Sequence, residues 1–452
     1  MRADAGRPAS WRRRAVVALY VLLGLIALVE VGRDLASPGD YTGFVAFGTA
    51  AAAGQVPYEP AVEAAYLNAR WATWPPSFAP IAVLLARLDA IAHQPAVFLF
   101  QLANLLALAL VLWILTRWLY GRRLTLGSPD GPGSDPWRAA RSGDGMPLAA
   151  LPALGALLVP LRVVLANFEH AQSNLLILGL AVAGMWLLRR GRRAGGGVAL
   201  GLATAFKATP LLLLGYLAWK GRWRDLGAAL AGCALTWLLL PALLLGPGRL
   251  AAWYGAWIRK SVGSAAQASP LNQSLLAALE RLVPGVPGWP LFLAVAGVLV
   301  VIGLWAFGGP GADRARTGPP AGSRCEVLEM ALVLAAMSLL SPLAWKAHYV
   351  TLVPLAGALF AYTSSGERWR AEGIGGAGVA EVVVSSAEAG ALYVVLGATF
   401  LVLNLSSDGV IGRSAARALE AGGVVTWAAL LLVGAGLAVL ARHRHKPGRP
   451  AA

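Results

Sequence analysis

The chain is short of charge, and above all of negative charge. Charged residues make up 13% of its 452 positions, with 22 Asp and Glu against 38 Lys and Arg. Soluble domains carry about 25% charged residues, so a water-soluble body of this length is excluded. It has two cysteines, Cys233 in an apolar run and Cys325 in a basic stretch. That pair argues against a disulfide and leaves no thiolate metal cluster. No Asp-x-Asp pair, no glycine fingerprint after a strand pattern and no internal repeat is present. These absences count against a metal–nucleotide donor site, a soluble α/β domain and a solenoid.

What the chain has is apolar length. Hydrophobic residues make up 58% of it, in runs that approach or exceed the roughly 18–20 residues a bilayer-crossing helix needs. The expected fold is an all-α polytopic membrane protein, a single integral domain over 1–452 with about 11–13 segments, some broken or re-entrant. The segments are Ala15–Val31, Ser77–Ala92, Ala96–Leu119, Leu148–Leu165, Leu175–Leu188, Gly196–Phe206, Leu211–Trp219, Leu226–Leu245, Pro290–Phe307, Val327–Leu340, Val350–Tyr362, Ala391–Leu405 and Val424–Leu440. No small-residue cleavage site follows Val31, so Ala15–Val31 reads as a retained first helix.

The net charge of +16 does not point to nucleic acid. The cations stand in short blocks between apolar runs: Arg12–Arg14, Arg122-Arg123, Arg189–Arg193, Lys220–Arg224 and the tail from Arg442. That is the positive-inside pattern of a multi-pass protein. It expects 1–14 and 442–452 in the cytoplasm, with the linkers Gly121–Met146, Gly308–Arg324 and Ser364–Gly390. Parity then allows only one full crossing among Ser77–Ala92 and Ala96–Leu119. The former is weaker, because it contains Arg87 and Asp89.

Four polar islands fall on the opposite, extracytoplasmic side. The first, within 32–76, holds Asp40, a stretch Tyr41–Ala53 able to lie on the membrane as a helix, and the interface aromatics Tyr58, Trp71 and Trp74. Pro38-Gly39-Asp40 is turn chemistry, and on its own residues Asp40 reads as a turn or cap. Asp34 is a competing carboxylate closer to the helix end. The second island is Asn167-Phe168-Glu169-His170-Ala171-Gln172-Ser173-Asn174, with more donors and acceptors than a tight turn needs. Glu169, Gln172 and Asn174 are its candidate substrate contacts, against a hydrated helix–helix turn.

Lys207 stands between two short apolar segments, next to Thr209-Pro210. A lysine at membrane depth costs about 2.5–3.5 kcal/mol on insertion scales and faces a cavity or a partner. A phosphate ligand suits it better than snorkelling. The third island pairs Trp253, Tyr254 and Trp257 with Arg259 and Lys260, and is followed by Asn272-Gln273-Ser274. Cations beside aromatics suit an anionic, sugar-bearing headgroup. Asn272-Gln273-Ser274 reads equally as a helix start. In the fourth island, Ser341–Tyr349, a proline break carries Lys346, His348 and Tyr349 together.

Taken in order, five stretches resemble glycosyltransferase family 87: Gly39-Asp40-Tyr41 with Gly54–Tyr58; Trp74-Pro75-Pro76; Gly201–Pro210; Asn272-Gln273-Ser274; and Leu340-Ser341-Pro342 through Trp345 to His348-Tyr349. The family uses polyprenyl-phosphate sugars on a C-type glycosyltransferase fold. The resemblance implies a hexosyltransferase of the plasma membrane, with mannose the expected sugar. It implies inversion, a lipid or glycan acceptor in the bilayer, and neither a metal nor another cofactor. By position it makes Asp40 the general base. Lys207 and His348 would hold the donor phosphate with Arg259 and Lys260, and Tyr41, Glu169, Gln172, Asn174, Asn272, Gln273 and Tyr349 would be substrate contacts. Two departures stand out. The family often has Gly-Gln-x-Asn where this chain has Ala171-Gln172-Ser173-Asn174, and an acidic or polar residue where Lys346 stands. A transporter of lipid-linked saccharides is the alternative, since transporters also use broken helices and buried cations. A non-catalytic scaffold would leave Lys207 and the 346–348 break unexplained.

Overall fold

The computed structural model describes residues 39–67, 73–120, 151–265, 271–308, 324–364 and 384–445, with shorter pieces within 22–35 and at 124–125, 146–147, 369–371 and 380–382. Most of Ala15–Val31, Asp34, Trp71 and most of the three linkers lie outside the described residues, as do Arg12–Arg14 and the end of the tail. The described residues are overwhelmingly α-helical; two short strand pairings, 124–125 with 146–147 and 369–371 with 380–382, are the β structure among them. The fold is thus the all-α polytopic membrane protein that the composition demands. Among the described residues, five helices are long and apolar enough to cross a bilayer, within His93–Leu119, Trp223–Leu245, Gly288–Ala306, Ser386–Leu405 and Val424–Arg442. The helix Ala79–Ile91 has 13 residues, roughly 20 Å at 1.5 Å per residue, short of a 30 Å hydrocarbon core.

The helices that place the site can be labelled in chain order: α1 Gly39–Ala52, α2 Ala79–Ile91, α3 His93–Tyr120, α4 Leu161–Glu169, α5 Asn174–Arg189, α6 Arg193–Phe206, α7 Leu211–Trp219, α8 Trp223–Cys233, α9 Pro247–Ala265 and α10 Arg324–Leu339. The stretch Tyr41–Ala53 forms a helix as expected, over Gly39–Ala52, and packs an aromatic face on the protein. Tyr41, Phe44 and Phe47 of α1 are fully or almost fully buried. They pack with Trp74, Phe78 and Phe100 at ring separations of 5.1–5.9 Å. Gly48 lets α1 approach α2, since a Cβ there would sit 2.0 Å from the Ala82 carbonyl.

α6 and α8 cross through small residues. A Cβ on Gly197 would meet the Ala228 carbonyl at 2.1 Å, and one on Gly201 would meet the Gly232 carbonyl at 2.3 Å. Such small-residue contacts drive packing where water supplies no hydrophobic force. Beyond α8 the helix widens into a π turn over Ala234–Leu239, ahead of Pro241. A proline cannot donate to the ladder, and a π adjustment accommodates that loss.

The second island forms a sharp bend. α4 and α5 meet at 119°, and the polar residues of the turn bond one another. Asn167 Nδ2 donates to the Gln172 carbonyl at 3.1 Å, Asn174 Nδ2 donates to Gln172 Oε1 at 2.5 Å, and Leu175 N–H donates to Asn167 Oδ1 at 3.3 Å. Ala171, at the apex, is the one non-glycine residue with positive φ (43°) among the described residues. A left-handed L-residue costs roughly 1–2 kcal/mol. Ala171→Gly is therefore expected to stabilise the detergent-solubilised protein by about 0.5–1 kcal/mol, net of glycine's larger chain entropy. A thermal unfolding midpoint that stays put or falls would contradict the strain.

The opposite ends of these helices carry the cations. Glu326 pairs with Arg189 and with Arg222 (3.0 Å), Asp225 with Arg222 (2.8 Å) and Arg193 (3.2 Å), and Glu329 with Lys220 (3.1 Å). Tyr216 donates to Glu329 at 2.9 Å. This network ties the basic ends of α5, α6, α7 and α8 to α10. It leaves their other ends to build the cavity.

Candidate active site

The cavity, of about 570 Å³, opens where the start of α5 and the end of α6 meet α1, α9 and the loop after α10. Its walls include Asp40, Gly43, Phe44, Thr73, Trp74, Gln172, Ser173, Asn174, Lys207, Thr209, Trp257, Ser261, Ser341, Trp345 and His348. Asp40 is the sole acidic side chain among those walls.

Asp40 is the second residue of α1. Its N–H donates to the His170 carbonyl at 2.9 Å, which docks the start of α1 on the α4–α5 bend. Gly39 makes that docking possible. Its φ is +39°, and a Cβ there would lie 2.5 Å from the same carbonyl oxygen. Pro-Gly before the acid is thus turn chemistry that also delivers a carboxylate to the cavity.

Lys207 follows the last residue of α6, in extended conformation, because the helix stops ahead of Pro210. Its Nζ lies 3.4 Å from Asn174 Oδ1 and 2.6 Å from His348 Nε2. The tautomer of His348 follows from its other nitrogen. Trp345 N–H donates to Nδ1 at 2.9 Å, so the neutral ring carries its proton on Nε2. With its proton on Nε2, the ring donates across the 2.6 Å contact to an uncharged Lys207 amine, and the two nitrogens stand close enough together to meet a single phosphoryl oxygen.

The aromatic walls are held rigidly. Trp257 Nε1 donates to the Thr73 carbonyl at 3.0 Å, and Tyr58 OH donates to the Trp74 carbonyl at 2.7 Å. Trp257 and Ser261 stand four residues apart on α9, so they share one helix face and both line the cavity.

The structure thus brings together Asp40, Gln172, Asn174, Lys207 and His348 from the expected set. It places the others elsewhere. Tyr41 turns into the aromatic cluster against Phe100 and His93. Glu169 pairs with Arg162 at 2.6 Å. Arg259 is exposed outside the cavity wall, and Lys260 is held by Glu63 at 2.6 Å. Asn272, Gln273 and Tyr349 are buried behind the His348 loop and bond to backbone. Thr73, Thr209, Ser261 and Ser341 line the cavity without having been singled out from the sequence. The α9 periodicity through Trp257 could have revealed Ser261.

A half-buried carboxylate, a lysine–histidine pair and aromatic walls thus meet at one end of a bundle of membrane helices. The sequence model of glycosyltransferase family 87 matches residues 72–342, more than half of the chain. The chain belongs to that family and is a glycosyltransferase built on membrane helices. The matched stretch contains Lys207, while Asp40 lies 32 positions before its start and His348 six positions after its end. No curated protein and no solved structure matches the chain. Family membership decides between enzyme and transporter in favour of the enzyme.

Proposed function

We propose that the protein transfers a hexose, with mannose the expected sugar, from a polyprenyl-phosphate donor to a lipid or glycan acceptor, with inversion. One observation carries the reading: Asp40, the sole acidic side chain on the cavity wall among the described residues, faces the same space as the Lys207–His348 pair. In this reaction Asp40 takes the acceptor hydroxyl proton as the oxygen attacks the anomeric carbon. The bond from that carbon to the phosphate oxygen breaks, and the polyprenyl phosphate leaves with the electron pair. Charge grows on the phosphate as it departs, so donors already aimed at it stabilise the transition state more than the ground state. A lipid monophosphate is a competent leaving group, and the lack of an Asp-x-Asp pair supports a metal-independent route. Trp74, Trp257 and Trp345 offer flat faces to a sugar ring.

The side of the membrane follows from the cations. Arg189, Arg193, Lys220 and Arg222 cluster at the helix ends opposite the cavity. By positive-inside this supports a cavity on the extracytoplasmic side, and we read the membrane as the plasma membrane.

The reading is tested with purified protein, a lipid extract and labelled donors of two kinds. Sugar should pass from polyprenyl-phosphate hexoses and not from nucleotide hexoses. Transfer from the nucleotide sugar alone would overturn the donor assignment.

A further inference from the structure

The loop that carries His348 has no regular secondary structure from Ser341 to Trp345. Whatever grips this loop determines where the imidazole stands. Asn272 is fully buried and forms no part of the cavity wall. Its side-chain Oδ1 accepts from Ala344 N–H at 3.1 Å and from Ser274 N–H at 3.0 Å, and its Nδ2 donates to the Pro342 carbonyl at 3.4 Å. The next residue completes the grip: Gln273 N–H donates to the Ala344 carbonyl at 2.6 Å. Ala344 is thus held through both its backbone groups by one dipeptide. It immediately precedes Trp345, whose N–H sets the His348 ring.

The dipeptide is itself anchored. Tyr349 and Thr426 hydroxyls both donate to the Gln273 carbonyl, at 2.6 and 2.5 Å, and Arg281 donates to the Asn272 carbonyl at 2.9 Å. Gln273 Nε2 donates to the Glu420 carbonyl at 2.7 Å, while the Glu420 carboxylate pairs with Lys346 in the loop. The loop is fixed from two directions around the residue that points its ring at Lys207.

We propose that Asn272 is a positioning residue of the transferase, acting through Ala344 and Trp345 to hold the His348 Nε2–H beside Lys207. The inference rests on the reading of His348 as a donor to the leaving phosphate. Without the Asn272 oxygen, two buried N–H groups lose their acceptor, and the loop shifts to satisfy them. The sequence motif Asn272-Gln273-Ser274 then works by shaping a catalytic loop rather than by touching sugar. Ser274 has its own task, capping the helix that begins at Leu275 through a 3.1 Å bond from Ala277 N–H.

The test is a double-mutant cycle on transfer from a polyprenyl-phosphate hexose. Asn272→Leu keeps the side-chain volume and removes the acceptor, and kcat should fall about tenfold or more. Asn272→Asp keeps an oxygen acceptor for both N–H groups and should recover to within about threefold of wild type. In a His348→Ala background, Asn272→Leu should cost less than about twofold. A full Asn272→Leu deficit on top of His348→Ala would overturn the inference alone, as would wild-type turnover of Asn272→Leu. Wild-type turnover of His348→Ala would instead overturn the phosphate reading and the inference with it. If Asn272→Leu fails to fold, Tyr349→Phe removes a single hydrogen bond to the Gln273 carbonyl and serves in the same cycle.

Discussion

Asp40→Asn is expected to lower sugar transfer by about 10²–10⁴-fold, the usual contribution of a positioned general base, while the protein still folds and inserts. The substitution preserves shape. It leaves untouched the backbone bond from residue 40 to the His170 carbonyl, which docks α1 on the α4–α5 bend. What it removes is the ability to accept a proton. Among the described residues Asp40 is the sole acid on the cavity wall, so no other described carboxylate there can take over. The check is turnover of purified variant and wild type at saturating donor, with a thermal midpoint to establish folding. Turnover within a few-fold of wild type would remove Asp40 from the base role and direct attention to Asp34.

Lys207→Ala is expected to be the second most damaging change. Donors aimed at a developing oxyanion are each worth about 10²–10³-fold in rate. Both the donor KM and kcat should suffer, since a phosphate is charged before and after transfer. Affinity for a short-chain polyprenyl monophosphate, measured by calorimetry in detergent, should fall by tenfold or more. Affinity for the corresponding uncharged prenyl alcohol should hardly move. Equal affinities of wild type and Lys207→Ala for the phosphate would contradict the phosphate role.

Much of the fold was readable because lipid imposes a simple rule. Backbone polar groups must be satisfied within a helix, so apolar length translates directly into helix. Lys207 was legible for a related reason: a cation beside Thr209-Pro210, between two short apolar runs, has little to do at that depth except face a cavity or a partner. Gln172 and Asn174 could be picked out as a cluster, though most of the hydrogen bonds recorded for that turn run within it or to nearby helices rather than into the cavity.

Less legible was the direction of each side chain. Arg259 and Lys260 follow Trp257 closely, but a helix turns about 100° per residue. Trp257 and Ser261 therefore face the cavity, and the two cations between them do not. Tyr41 is separated from Asp40 by the same rotation and enters the aromatic cluster. Asn272 and Gln273 carry the donors and acceptors expected of substrate contacts, and only the tertiary fold reveals that backbone groups of the His348 loop consume them. Local sequence could not show this, because Ala344 lies 72 positions away. Conversely, Ala171 needed no tertiary knowledge. A glycine-like turn position filled by alanine is visible as a departure, and its positive φ gives the departure a physical cost.

The central claim, that Asp40 acts as a base in a single displacement of polyprenyl phosphate, is tested most directly by the stereochemistry of the product. NMR couplings at the anomeric carbon, compared between donor and newly formed linkage, should show inversion. Retention of configuration would require a second displacement, with a covalent sugar on the enzyme, and would contradict the account.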